Sequence, residues 1–99
     1  MLAEARARIR RYTPEEARTD PGLLLVDTRS ADERERERDG VIAGARHVPL
    51  SVLPWRTDEL AGRRICLVSA HGYSSSLAAA LLVELGVDAG DLIGGYGAW

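Results

Sequence analysis

Seven residues, Ser69-Ala70-His71-Gly72-Tyr73-Ser74-Ser75, join a short apolar run to the longest helical pattern in the chain. Gly72 admits backbone conformations closed to other residues, so successive N–H groups in such a loop can turn inward on one centre. The helix that follows adds its unpaired amides and roughly half a positive charge at its start. Together these features would cradle a small anion. The same spacing also fits a plainer role, in which Ser74 to Ser76 cap the helix and Gly72 makes the turn.

The elements that must carry this loop alternate along the chain. Residues 2–10 have the pattern of a short amphipathic helix, with Glu4 four places before Arg8. Thr13-Pro14-Glu15-Glu16 starts a second helix, with Thr13 as cap and Glu16 closing a capping box. Leu23-Leu24-Leu25-Val26 is an unbroken apolar run ending at Asp27, as in a strand covered on both faces. Ser30 and Glu33 form another capping box, opening a helix to Arg38 that Gly40 ends. The alternating run Glu33 to Arg38 is expected to be a solvated helix face.

A brief strand Arg46-His47-Val48 follows, then a turn or short helix over residues 51–60. Arg64-Ile65-Cys66-Leu67-Val68 is the second strong apolar run, and it delivers the chain into the Ser69–Ser75 loop. A helix over Leu77–Leu85 closes at Gly86, and Asp91-Leu92-Ile93 is a last short strand. Strands alternating with helices predict an α/β fold, a mostly parallel sheet with helices on both faces. In such sheets ligands bind outside the carboxyl ends of the strands, which is where the loop stands.

The chain has 99 residues and a formal net charge of −2, which suits one domain. Hydrophobic residues make up 45 % and charged residues 28 %, an ordinary globular composition. No stretch approaches the ~20 apolar residues of a membrane helix. The charge balance lacks the basic field of a nucleic-acid binder, the cluster Arg6, Arg8, Arg10, Arg11 being a local exception. One cysteine and two histidines give neither an internal disulfide nor zinc-ligand spacing. The expectation is a reducing, cytoplasmic setting, with no metal, no cofactor, no nucleic acid and no membrane partner.

Four features taken in order resemble rhodanese-like (sulfurtransferase) domains. These are Asp27-Thr28-Arg29 after an apolar strand, the segment Gly40 to Pro49, the strand-loop-helix around Gly72, and the terminal Gly94-Gly95-Tyr96-Gly97-Ala98-Trp99. The resemblance covers residues 12–99, a single rhodanese-like domain, and leaves residues 1–11 as an N-terminal helical extension. It implies sulfane sulfur carried as a cysteine persulfide in the loop. The partners it implies are a small sulfur-containing anion, thiosulfate or a persulfide donor, or a protein acceptor.

The chain departs from that pattern at the nucleophile. The position three before the glycine, cysteine in active relatives, is Ser69, and the often basic position two after it is Ser74. A thiolate can hold and pass on a sulfur where an unassisted hydroxyl cannot. Cys66 lies about 10 Å upstream at ~3.3 Å per residue and faces the other side of its strand, so it reads as a buried structural thiol. As a serine nucleophile, Ser69 would need a base, and the loop offers only His71, with no carboxylate to orient it. Asp27 and Arg29 belong, by resemblance, to the framework around the site; a structural ion pair is the alternative. His47 is expected to pack beside its strand, and Trp99 to serve packing. The expected function is therefore a sulfurtransferase-family domain without its sulfur carrier, with a non-catalytic anion-binding or partner-docking module as the alternative.

Overall fold

Runs of Leu, Val and Ile without alternation bury both faces of a strand, and two such runs form the centre of the sheet. In the computed structural model, which describes residues 1–36 and 42–99, they are β2 (Leu23–Asp27) and β4 (Arg64–Val68), paired in parallel from Leu23 opposite Arg64 to Asp27 opposite Val68. β1 (Arg10–Tyr12), β3 (Arg46–His47) and β5 (Asp88–Leu92) complete a five-stranded, wholly parallel sheet in the order β1-β5-β4-β2-β3. The single α/β domain has a radius of gyration of 12.1 Å.

One face of the sheet carries α4 (Ser74–Glu84), against which α1 (Leu2–Ala7) packs. Ala78, Ala79 and Leu82 meet Val26, Ile65, Leu67 and Ala89 there, beside Leu53 and Leu60 from the 3-10 turns over Leu50–Glu59. On the other face Ala17 of α2 (Pro14–Thr19) packs with Tyr12, Leu25, Ile42, Cys66, Val68 and Leu92. α3 (Ala31–Arg36) lies between β2 and β3 in the chain.

Both capping boxes form. Thr13 and Glu16 exchange bonds of 3.2 and 2.9 Å, and Ser30 and Glu33 do so at 3.1 and 2.8 Å. The far end of the predicted 30–38 helix, and Gly40, lie outside the described residues.

The N-terminal pattern resolves differently from expectation. The helix stops at Ala7, and Arg10–Tyr12 is an edge strand on β5 rather than a continuation. Tertiary pairing overrides helical periodicity here, because Tyr12 reaches the core and Arg11 a buried partner. Arg8 likewise pairs with Glu84 across to α4, at 3.0 Å, rather than with Glu4. β5 begins three residues earlier than Asp91 and contains Gly90. A Cβ at Gly90 would stand 2.2 Å from the Arg10 carbonyl oxygen and 2.8 Å from the Tyr12 ring, so glycine is what lets β1 dock.

Gly90→Ala is accordingly expected to cost about 2 kcal/mol or more, read as a lowered Tm, with loss of the β1–β5 pairing seen as fast amide exchange at Tyr12. Cys66 is fully buried, and desolvation, helped by Asp91, pushes its thiol well above the ordinary value. It should resist a thiol reagent in the folded protein and react readily in denaturant; rapid native modification would contradict this environment.

Candidate functional site

The loop after β4 is fixed by three sets of bonds that converge on Ser69. The first is internal. Gly72 takes a φ of +86°, and its amide donates to the Ser69 Oγ at 2.9 Å. A side chain at Gly72 would also strike the Gly94 amide nitrogen, at 2.9 Å. Ser69 is only 4 % exposed, so its hydroxyl proton needs a partner within the protein. It donates to the Ser75 Oγ at 3.0 Å.

The second set lies beneath α4. Ser75 donates onward to the Asp91 carboxylate at 3.0 Å, and Ser76 donates to the same oxygen at 2.6 Å. Arg11 of β1 completes the shell, with its Nε 2.9 Å from the other carboxylate oxygen. Asp91 is wholly buried, and this neutralising, fully bonded shell is what allows an ionised carboxylate there. The Tyr73 side chain makes no cap bond to the helix, and Ser75 and Ser76 turn their hydroxyls to Asp91. These two serines lie inside the first turn and, contrary to expectation, do not cap the helix.

The third set comes from the end of the chain. The 3-10 turn Gly95–Ala98 sends the Tyr96 amide to the Ser69 carbonyl at 2.7 Å and the Gly97 amide to the Ala70 carbonyl at 3.1 Å. The approach is so close that a Cβ at Gly95 would lie 2.3 Å from the Ser69 carbonyl oxygen. The guanidinium of Arg29 stacks on the Tyr96 ring at 3.8 Å. Arg29 is itself held by a buried bidentate pair with Asp27 at 2.9 and 2.8 Å, and its carbonyl meets the His47 Nε2 at 2.7 Å.

The residues singled out from sequence thus separate into groups. Ser69, Gly72 and Ser75 meet at one buried point, and Ala70 is half-buried beside them. His71, Tyr73 and Ser74 are exposed on the rim. Ser69 donates to a serine and not to His71, so no histidine base engages the hydroxyl. Asp27 holds Arg29, and Arg29 reaches the loop through the Tyr96 ring. Sequence reasoning missed Asp91 and Arg11, which support the loop from beneath. An Asp beside a Gly in an otherwise apolar stretch was the available signal for the first.

Among the described residues no cluster of His, Cys, Asp and Glu could hold a metal ion, and no helix is long and apolar enough to cross a membrane.

The fold has known counterparts. A protein of unknown function and possible tyrosine phosphatase from Rhodopseudomonas palustris superposes with a TM-score of 0.85 at 26 % identity, over 99 % of this chain and 84 % of that one. A rhodanese homologue from Thermus thermophilus is 32 % identical with a TM-score of 0.66, over 91 % of this chain and all of its own. A NAD-dependent persulfide reductase from A. fulgidus matches at 29 % identity and a TM-score of 0.63; the likeness spans 78 % of this chain but only 14 % of the reductase. No curated protein matches the sequence. The Rhodanese-like domain model matches residues 13–99, from the cap of α2 through the clamped loop to the terminal turn, and the chain belongs to that family.

Proposed function

We propose that the Ser69–Ser75 loop is the anion site of this rhodanese-like domain, with Ser69 standing where the sulfur-carrying cysteine of active members stands. The observation that carries this reading is the Ser69 Oγ itself, a buried atom that accepts the Gly72 amide at 2.9 Å at the start of an 11-residue helix. A negatively charged atom at that point gains an amide donor and the positive helix end. The ligand class is a small sulfur-containing anion, thiosulfate or a persulfide, with a protein acceptor as the further partner.

As it stands the domain binds and does not transfer. In the transfer reaction a thiolate attacks the outer sulfur of thiosulfate, a sulfur–sulfur bond forms, and sulfite leaves with the electron pair of the bond that breaks. Cyanide then takes the outer sulfur as thiocyanate and returns the thiolate. A serine hydroxyl whose proton is committed to Ser75 is too weak a nucleophile for the first step and forms no persulfide.

A second reading, a partner-docking module, draws on the groove beside Ser74. Leu50, Leu53, Pro54, Leu77, Leu81 and Leu85 line it, and its volume is about 270 Å³.

Thiosulfate, sulfate or phosphate titrated into the protein should move the amide resonances of Ala70 to Ser75 with millimolar, salt-sensitive affinity. Shifts confined to other residues would remove the anion site. The unaltered protein should give no thiocyanate from thiosulfate and cyanide, whereas Ser69→Cys should create the activity. Adding Ser74→Arg should then lower the thiosulfate KM more than it raises kcat. A folded Ser69→Cys protein that neither turns over nor accumulates a persulfide would leave the docking module as the function.

A further inference from the structure

The loop has a serine at position 74, yet a guanidinium reaches it from the other end of the chain. Arg6 of α1 donates from Nη2 to the Gly72 carbonyl at 3.0 Å and from Nε to the Ser76 Oγ at 3.1 Å. Its charged carbon lies 6.0 Å from the centre of the exposed Tyr73 ring. Two consequences follow from these contacts. In a trans peptide the C=O and N–H point opposite ways, so drawing the Gly72 carbonyl toward Arg6 turns the Tyr73 amide away from it. The second consequence is electrostatic. Arg11 is matched by Asp91, whereas the hydroxyl and carbonyl that Arg6 meets are neutral. Among the described residues, the two guanidiniums and one carboxylate beneath the loop therefore leave one positive charge in excess. The other titratable groups on the loop, His71 and Tyr73, are exposed.

We propose that Arg6, which lies ahead of the residues matched by the family, is a positioning residue of the loop: it orients the Gly72–Tyr73 peptide and supplies the positive field that Ser74 does not. This rests on the reading of Ser69–Ser75 as the anion site. Its effect is stabilisation of negative charge on the side-chain atom of residue 69 and on an anion bound beside it.

The test uses the Ser69→Cys protein. Alkylation by iodoacetamide, followed by peptide mass spectrometry from about pH 5 to 10, gives the pKa of the new thiol separately from Cys66. Adding Arg6→Gln should raise that pKa by about half to one unit, a threefold to tenfold loss of thiolate at neutral pH. Thiosulfate KM should rise severalfold with little change in kcat. Arg6→Lys should restore most of the pKa, and Arg8→Gln, which removes only the surface pair with Glu84, should leave it unchanged. Arg6→Met keeps the aliphatic stem and replaces Arg6→Gln should the latter fail to fold. An unchanged thiol pKa in either folded variant overturns the proposal, as does an equal shift from Arg8→Gln. If the Ser69→Cys protein transfers no sulfur while Arg6 still sets the thiol pKa, the functional reading fails and the role of Arg6 stands. Sulfur transfer with an Arg6-insensitive pKa has the opposite meaning.

Discussion

The Asp91 carboxylate is the group on which this structure turns. An ionised carboxyl without solvent is tolerated only when each oxygen is bonded and its charge answered, and here that takes Arg11, Ser75 and Ser76. Those partners come from an edge strand and a helix, so satisfying one side chain fixes β1, β5 and α4 relative to one another. Removing a partner from a buried charge pair costs on the order of 3–5 kcal/mol, a large share of the stability of a 99-residue domain. Ser75 passes the constraint on to Ser69, so the packing of the sheet also sets the direction of the hydroxyl in the loop.

A second brace holds the loop from the other side of β4. Asp27 neutralises Arg29, Arg29 lies over the Tyr96 ring, and the Tyr96 amide grips the Ser69 carbonyl. The Thr28 amide and hydroxyl both meet the Val68 carbonyl, at 2.9 and 3.1 Å, tying the ends of β2 and β4 together just before the loop. Side chain and backbone of residue 69 are thus gripped by different elements. Such double support is how a fold keeps donors aimed before any ligand arrives.

What sequence could reveal follows from which of these interactions are local. The capping boxes at Thr13 and Ser30, the runs that became β2 and β4, and the glycine turn at Gly72 each depend on residues a few positions apart, and each was legible. The loop fell where the parallel-sheet pattern put it, at the carboxyl end of β4. β1 was hidden because Arg10-Arg11-Tyr12 has little strand character of its own; its partner, Gly90, lies about eighty residues away and is chosen for lacking a side chain. Asp91 was passed over for the same reason, since nothing near it in sequence announces Arg11 or Ser75. Partners met across the fold are invisible to periodicity, and the contacts of Arg6 and Arg11 are of that kind.

The clamp made by Tyr96 and Gly97 has a bearing on how the domain is born. Their amides hold the Ser69 and Ala70 carbonyls, and Arg6 holds that of Gly72. Closing these contacts joins stretches 27 to 66 positions apart, whose loop-closure entropy is met only after much of the intervening sheet exists. During synthesis the central strands and α4 emerge before residue 97, so a nascent chain can hold a partly built sheet while the Ser69–Ser75 loop is still unshaped. The geometry of that loop is among the last things this polypeptide acquires, and among the first that a local opening of either flank would release.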